Sequence, residues 1–437
     1  MKSARQLATE ILLNVNFKGG YSNIVLDKAI KQNNLPREEE AFCSALFYGT
    51  LENIIYLDYT IKDYSSKPLS KLSKEVLEIL RISFYQLIFL KNIPSSAVVN
   101  EAVELTKKLR VASAGGFVNA VLRSFLRKGG EPSEIKAKDK AEYLSIKYSC
   151  NLETIKLLLS QYEFEVIESF LNRSNNKRGC CLKTNTTKIS PEELSQRLSE
   201  KGIENKIDSL ISDAIYIKNQ GSVVLLEEFK KGYFHIEDKS SQICAKLVGA
   251  KCKDKVLDSC AAPGGKSYSI AEDMDGKGEV VSCDIHKHKI KLIEDGAKRL
   301  GLSNITSFLN DASIFNKDLG LFNKVLCDVP CSGLGIMGNK PEIKYKSPKD
   351  FERLPDIQYK ILSTCSSYVE PGGTLTYSTC SINKNENEEV VNKFLLEHND
   401  FEPLITNSLG LNSFMTTFID DKFDCDGFFI ATLIRKK

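Results

Sequence analysis

The sequence predicts a multidomain protein: an all-α front, a small α+β unit, and an α/β domain on a doubly wound parallel sheet. Three observations carry that reading. The first 128 residues place apolar side chains at helical spacing. The stretch "GGEPS", residues 129–133, then interrupts them as a linker. From about residue 236, short apolar runs alternate with helical segments, the pattern of strands crossing over through helices. The expected domains are residues 1–130, 131–235 and 236–437.

Composition bounds the class. At 437 residues the chain has room for two or three domains, each with a core of its own. It is 42% hydrophobic and 27% charged, as globular proteins are. No apolar run approaches the ~18 residues of a membrane helix; the nearest, residues 79–90, is broken by Arg81 and Gln86. The start, "MKSARQLATEILLNV", carries Glu10 and no small-residue cleavage site, so it reads as an amphipathic helix and not a signal peptide. A cytoplasmic protein with no membrane partner is expected. The 13 cysteines then read as thiols and not as a disulfide framework. No metal is expected: there is no C-x-x-C pair, and His286 and His288 are flanked by Lys287 and Lys289 with no further ligand at metal spacing. The net charge is +3, with a basic excess in the front and an acidic excess in the back, which allows a nucleic-acid partner.

The elements follow in order. Ala4, Leu7, Ala8, Ile11, Leu12 and Val15 mark a first amphipathic helix. "SKEVLEILRISFYQLIFL" keeps the helical period but is apolar on most sides, so it is expected at the centre of the front domain. Pro94 and the serines after it mark the start of another helix, and "GGFVNAVLRSFLRK" gathers Val118, Val121, Leu122, Phe125 and Leu126 on one face. A helical stretch over 137–171 leads to the strand "RGCCLKTNT", the helix "SPEELSQRLSEKG" with Pro191 at its first position, and the strand "AIYIKN". The back half reads as strands at "KVLDSC", "GEVVSCDI", "NITSFLND", "NKVLCDVP" and "GTLTYSTC", with "DGFFIATLIRKK" as a terminal strand.

In such sheets ligands bind beyond the carboxyl ends of the strands, and the unusual residues of this chain fall there. The first strand runs into "CAAPGGKS", residues 260–267, where Gly264 and Gly265 allow close approach of a ligand to the backbone. Lys266 opens the next helix, where the helix dipole disfavours a cation, and a ligand carboxylate accounts for it. Asp284 ends the second strand at the spacing of an acid that grips a ribose, and Asp311 ends the third, where it can accept from an adenine amine. Either acid alone reads as a helix cap; together, behind a glycine turn, they read as an adenosine site. The turn is neither G-x-G-x-x-G nor a Walker loop, which favours S-adenosylmethionine over a dinucleotide or ATP.

Two cysteines complete the set. Cys327, inside its strand, reads as a small core side chain. Cys331 in "DVPCSGLG" and Cys380 in "YSTCS" fall at the ends of the fourth and fifth strands, and should face one crevice. A thiolate adding to carbon 6 of a pyrimidine makes carbon 5 nucleophilic enough to take a methyl group. Asp328 is placed to bind or protonate the ring near N3 and the exocyclic amine, easing the addition, or else only caps a turn. The spacing leaves open which thiol attacks.

"LDSCAAPGGKS", "DVPCSGLG" and "TYSTCS" resemble the donor loop, the Pro-Cys motif and the Thr-Cys motif of the RNA cytosine-C5 methyltransferases. "KPEIKYKSPKD", "IEDKSSQICAKLV" and "DGFFIATLIRK" fit as well. The helical front, with "NAVLRSFLR", resembles the NusB-like domain of the bacterial Sun/RsmB-type branch, which acts on small-subunit ribosomal RNA. The resemblance spans essentially the whole chain. It implies a NusB-like helical domain, an α+β RNA-binding subdomain and a Rossmann-like methyltransferase domain. It implies that Cys260, Ala261, Ala262, Pro263, Gly264, Gly265 and Lys266 hold the amino-acid end of S-adenosylmethionine. Asp284 would hold the ribose, Asp311 the adenine side, and Asp328 the donor-facing edge of the active site. By the resemblance Cys380 is the nucleophile and Cys331 assists release of product. One departure stands out: the chain has no tryptophan, and Tyr345 occupies a place where an indole is common.

The implied substrate is 16S rRNA, as naked RNA or an early small-subunit particle, acted on by a monomer. Arg110, Arg123, Arg127, Lys128, Lys340, Lys344, Lys346, Lys349 and Arg353 are the candidate phosphate contacts. Other readings are a transfer-RNA cytosine-C5 methyltransferase, a non-catalytic RNA-binding factor of antitermination type, and, more distantly, a nicotinamide oxidoreductase. The NusB-like front weighs against the first, the pair of cysteines against the second, and the form of the glycine turn against the third.

Overall fold

The computed structural model describes residues 2–19, 22–176, 179–218 and 223–437. The chain forms two compact units, residues 1–164 with 337–348 and residues 165–336 with 349–437. Arg178 and Asn219, at the ends of two expected strands, lie outside the described residues.

The first unit is helical. Helices span Ala4–Lys18, Ser22–Asn33, Arg37–Glu52, Ile54–Lys62, Lys74–Phe89, Ser95–Lys108, Gly115–Arg127, Lys140–Tyr148 and Leu152–Gln161. Side-chain caps begin several of them: Ser3, Ser73, Asp139 and Asn151 each accept from a first-turn N–H. The Lys74–Phe89 helix is central, as its all-round apolarity requires. Ile79, Leu80 and Phe84 pack with Leu57, Val98, Leu122 and Phe125, while Ile82 packs with Leu7, Ile11, Leu46 and Phe47. Its two buried charged groups, Glu78 and Arg81, are hydrogen-bonded to each other. The Arg81 guanidinium grips both Asp58 oxygens, at 2.8 and 2.6 Å, and donates to Glu78 Oε1 at 2.6 Å. Burial pushes the Glu78 carboxyl up, against the pull of Arg81 and the Asn16 amide.

Residues 337–348 pack within this helical unit. The Tyr345 hydroxyl donates to the Leu51 carbonyl and accepts from the Ile54 N–H. The Lys344 ammonium donates to the carbonyls of Glu52 and Tyr148, at 3.2 and 3.3 Å. Lys344 is therefore not the phosphate contact its sequence position suggests: it is 3% exposed, and burial pulls its pKa down. The other cations of that group, Arg110, Arg123, Arg127, Lys128, Lys340, Lys349 and Arg353, are exposed, and Lys346 is half-buried.

The second unit begins with a helix, Phe164–Asn175, and a small antiparallel sheet of four strands: β1 Cys180–Thr184, β2 Asn205–Ile207, β3 Ala214–Ile217 and β4 Phe234–Ile236. The order is β2-β3-β1-β4. The helix Pro191–Glu200 covers it through Leu194 and Leu198, opened by Pro191 behind a Ser190 cap. Both β2 and β4 are absent from the sequence reading, because three residues are too few to show alternation.

Eight strands form the main sheet: β5 Lys255–Asp258, β6 Glu279–Asp284, β7 Ile305–Leu309, β8 Phe322–Asp328, β9 Val369–Thr379, β10 Phe401–Pro403, β11 Met415–Phe418 and β12 Phe428–Arg435. Five run parallel in the order β7-β6-β5-β8-β9, and β12 joins β9 antiparallel, carrying β10 and β11. Both faces are covered, so successive residues alternate between two cores. Val256, Val280 and Leu326 pack with Ile243, Ile270 and Ile293 on one side. Leu257, Val281 and Val325 pack with Ile361, Leu362 and Phe394 on the other. Cys327 sits in the second core, fully buried.

A buried charge cluster joins the small sheet to the helix Gly265–Asp273. His235 of β4 lies between two carboxyls, with Nε2 3.5 Å from Glu237 and Nδ1 3.5 Å from Glu272. Lys183 of β1 lies 3.2 Å from Glu272 and 3.3 Å from Asp213. Burial works against a charge on His235, but Glu272 and Glu237 outweigh it and raise its pKa to about 9.

Two outcomes follow. Replacing Arg81 by Met strands the Glu78 carboxyl in the core, and is expected to cost about 3–5 kcal/mol. The check is hydrogen exchange across the Lys74–Phe89 helix, which should lose protection in Arg81→Met and regain part of it when Glu78→Gln is added. His235 is a group whose folded pKa lies above its unfolded value. Its stabilisation is therefore complete below about pH 6.5 and fades as pH rises to about 9. Melting temperatures of wild type and His235→Gln should differ most at pH 6 and converge by about pH 10.

Candidate active site

Strand order reverses at β5, whose neighbours are β6 and β8, so a crevice opens beyond the carboxyl ends of these strands. The turn after β5 holds Cys260, Ala261, Ala262, Pro263, Gly264, Gly265 and Lys266, with a cis peptide at Ala262–Pro263. Gly264 has φ +114°, and a Cβ there would lie 2.3 Å from the Tyr268 hydroxyl oxygen. Only glycine fits that turn.

Lys266 has a partner within the chain. Its ammonium lies 2.8 Å from Asp328 Oδ2, and the Ser378 hydroxyl donates to Asp328 Oδ1 at 2.8 Å. Asp328 thus ties the turn after β5 to β9. Burial disfavours the Lys266 charge, but Asp328 outweighs it and raises the lysine pKa. Asp258, at the end of β5, accepts from Ser267 at 2.7 Å, and burial pushes its carboxyl up to about 7.

Asp284 ends β6 as expected, Asp311 lies two residues beyond the end of β7, and each caps a turn with one oxygen. Asp284 Oδ1 accepts from the His286 N–H at 2.8 Å, and Asp311 Oδ1 from the Ser313 N–H and hydroxyl at 2.9 and 2.8 Å. The Lys289 ammonium lies 3.9 Å from Asp284 Oδ2. Ile285 and Ile314, each near one of these acids in the chain, are exposed, and they offer apolar surface that sequence reasoning passed over.

The residues present fit an adenosyl donor with an amino-acid end. Glycine leaves the turn open, and Glu237 Oε1 is a buried acceptor with no hydrogen-bond partner among the described residues. That oxygen lies 3.0 Å from where a Cβ on Gly265 would stand, which suits a cationic group at the turn. Glu237 was not singled out from sequence; nothing in "FHIEDK" marks it.

The two thiols meet. Cys331 follows β8 and Cys380 follows β9, and their Sγ atoms are 3.0 Å apart. All thirteen cysteines are thiols, and these two are half-buried. The shared hydrogen bond raises the Cys331 pKa most; burial and the charges of Cys380, Glu386 and Asp328 raise it further. Gly335 and Gly427 hold the first loop down: a Cβ on Gly335 would sit 1.8 Å from the Gly427 carbonyl oxygen. Behind the thiols lies Glu386, fully buried, which sequence reasoning missed because "NKNENEE" looks like a solvated helix start. The signal that could have found it is the serine directly after each cysteine, Ser332 and Ser381, both of which bond it.

Three family matches tile the chain: residues 2–127 match the NusB family, 154–224 the ferredoxin-like domain of RsmF/B-type methyltransferases, and 245–434 the family described as 16S rRNA methyltransferase RsmB/F. The probable ribosomal RNA small subunit methyltransferase B of Bacillus subtilis is 38% identical over 99% of both chains. That of Synechocystis is 30% identical, again over 99% of both. Among solved structures, the crystal structure of PH0851 superimposes with TM-score 0.81 at 23% identity, covering 100% of this chain and 99% of that one. NSun6 from Pyrococcus horikoshii superimposes with TM-score 0.58 at 21% identity, over 69% of this chain and 98% of that one. These two share the fold; the sequence matches go further, and by them the chain belongs to the RsmB/F family of small-subunit ribosomal RNA methyltransferases.

Proposed function

We propose that this protein methylates carbon 5 of a cytosine in 16S rRNA, using S-adenosylmethionine and a covalent bond between Cys380 and carbon 6 of the base. The observation that carries the reading is the 3.0 Å approach of Cys331 and Cys380 beside the turn after β5. A binding protein has no use for two half-buried thiols at that distance.

The donor supplies an electrophilic methyl group on a sulfonium. The turn of Cys260–Lys266 would hold its amino-acid end, with Glu237 as acceptor for the ammonium. Asp284 would take the ribose and Asp311 the adenine side, between the apolar surfaces of Ile285 and Ile314. The target base leaves its stack to reach the crevice. Cys380, as thiolate, adds to carbon 6, and the electron pair moves to carbon 5, which takes the methyl group. Loss of the carbon 5 proton and elimination of the Cys380 thiolate then free the product. Cys331, within hydrogen-bond reach of Cys380, would stabilise the neighbouring thiolate before attack and assist its departure. Asp328 is already bound by Lys266 and Ser378, so it presents a fixed acceptor to the exocyclic amine beside N3. The exposed cations of the helical unit, Arg110, Arg123, Arg127 and Lys128, would contact RNA phosphates. A cytoplasmic site of action follows from that substrate.

Denaturing gels with unmodified small-subunit RNA and the methyl donor test the assignment of the thiols. Cys331→Ala should accumulate a protein–RNA adduct. Cys380→Ala should form none and lose at least about 1,000-fold in methyl transfer, as removal of a nucleophile does. An active Cys380→Ala would sink the assignment. Asp284→Ala should weaken donor binding about 10- to 100-fold in calorimetry, the loss of a charged hydrogen bond to the ribose, and leave adduct chemistry at saturating donor unchanged.

A further inference from the structure

The Glu386 carboxyl accepts five hydrogen bonds from three segments of the second unit. Ser332 gives two, from its N–H at 2.7 Å and its hydroxyl at 2.5 Å. Ser381 gives one from its hydroxyl at 2.9 Å, Asn383 one at 3.1 Å, and Gln358 one at 3.1 Å. The two serine hydroxyls also touch, 2.9 Å apart. Each serine is the residue after a cysteine, so its Cα stands about 3.8 Å from the Cα that carries the thiol. A fully buried carboxyl is expensive to desolvate. None of these five bonds goes to a sulfur, and what they accomplish is to join the loop after β8 to the loop after β9.

We propose that Glu386 is a positioning residue that sets the separation of the Cys331 and Cys380 thiols; the inference rests on the methyl-transfer reading of this site. A carboxyl presents acceptors on both oxygens. Glutamine in its place turns an NH₂ toward either the Ser332 N–H or the serine hydroxyls. The two loops then separate, and a small misplacement of reacting groups is enough to slow chemistry about 100-fold.

The test reads thiol separation directly. Diamide, an azo oxidant, joins two close thiols: the two S–H bonds break, one S–S bond forms, and the N=N group gains both hydrogens as a hydrazine. Peptide mapping by mass spectrometry follows the Cys331–Cys380 disulfide with time in wild type and Glu386→Gln. The variant is expected to cross-link at least tenfold more slowly, to lose about 10- to 100-fold in kcat, and to hold donor Kd and RNA KM within about twofold. An unchanged cross-linking rate in folded Glu386→Gln, or a rise in KM at constant kcat, overturns the proposal. If Glu386→Gln does not fold, Ser332→Ala and Ser381→Ala carry the same test, since each removes one strut and keeps the carboxyl. Cross-linking slowed by the variant in an enzyme that methylates no RNA would keep the clamp and sink the function.

Discussion

The pairing of β8 with β9 is the constraint on which the site depends. The strands run parallel with Asp328 opposite Ser378, so the two cysteine loops leave the sheet at the same level. From that register Cys331 is three residues beyond the pair and Cys380 two. A slip of one residue would turn every side chain of a strand to the other face, sending Asp328 into the core and Cys327 out of it. Burial forbids that slip, because Val325 and Cys327 already fill one core and Leu326 the other. The chemistry is thus held in place by ordinary packing some ångströms away from it.

Charges are handled the same way throughout. Arg81 stands between Asp58 and Glu78, Lys266 against Asp328, and His235 between Glu237 and Glu272. Arg81, Lys266 and His235 are largely shielded from water, and each has a carboxyl partner from a distant part of the sequence: Asp58, Asp328 and Glu272. Such pairs are weak evidence of stability, since apolar replacements pack as well. What they supply is alignment: Asp328 binds residues of two segments and Glu386 of three, and one joins donor turn to sheet while the other joins loop to loop.

The fold was largely legible because its elements are long and periodic. The all-round apolarity of Lys74–Phe89 announced a central helix, and the five parallel strands were plain as apolar runs ending in Asp or Cys. The three-residue strands β2, β4 and β10 left no pattern to read. The site was legible where backbone geometry demands a residue type, as at Gly264, and where a sulfur stands at a strand end. It was not legible where side chains act through burial. Glu386 and Glu237 look like surface acids in sequence, and Lys344 like a surface base. Their partners come from residues far away in the chain or from carbonyls that no sequence pattern displays. Lys266 shows the same effect: its partner proved to be Asp328, 62 residues on.

Residues 337–348 belong to the helical unit, although the chain on either side of them belongs to the other. Lys344 and Tyr345 fill a seam lined by the carbonyls of Leu51, Glu52 and Tyr148. During synthesis the front helices emerge first, and domains usually fold in that order. Here the seam stays open, its carbonyls turned to water, until the ribosome has also made the small sheet and the first four strands of the large one. The front unit is completed by a segment that arrives six residues after Cys331. Its maturation therefore waits on the loop that carries one of the two active-site sulfurs, and a cut at residue 130 or 235 would part the front helices from the segment that completes their unit.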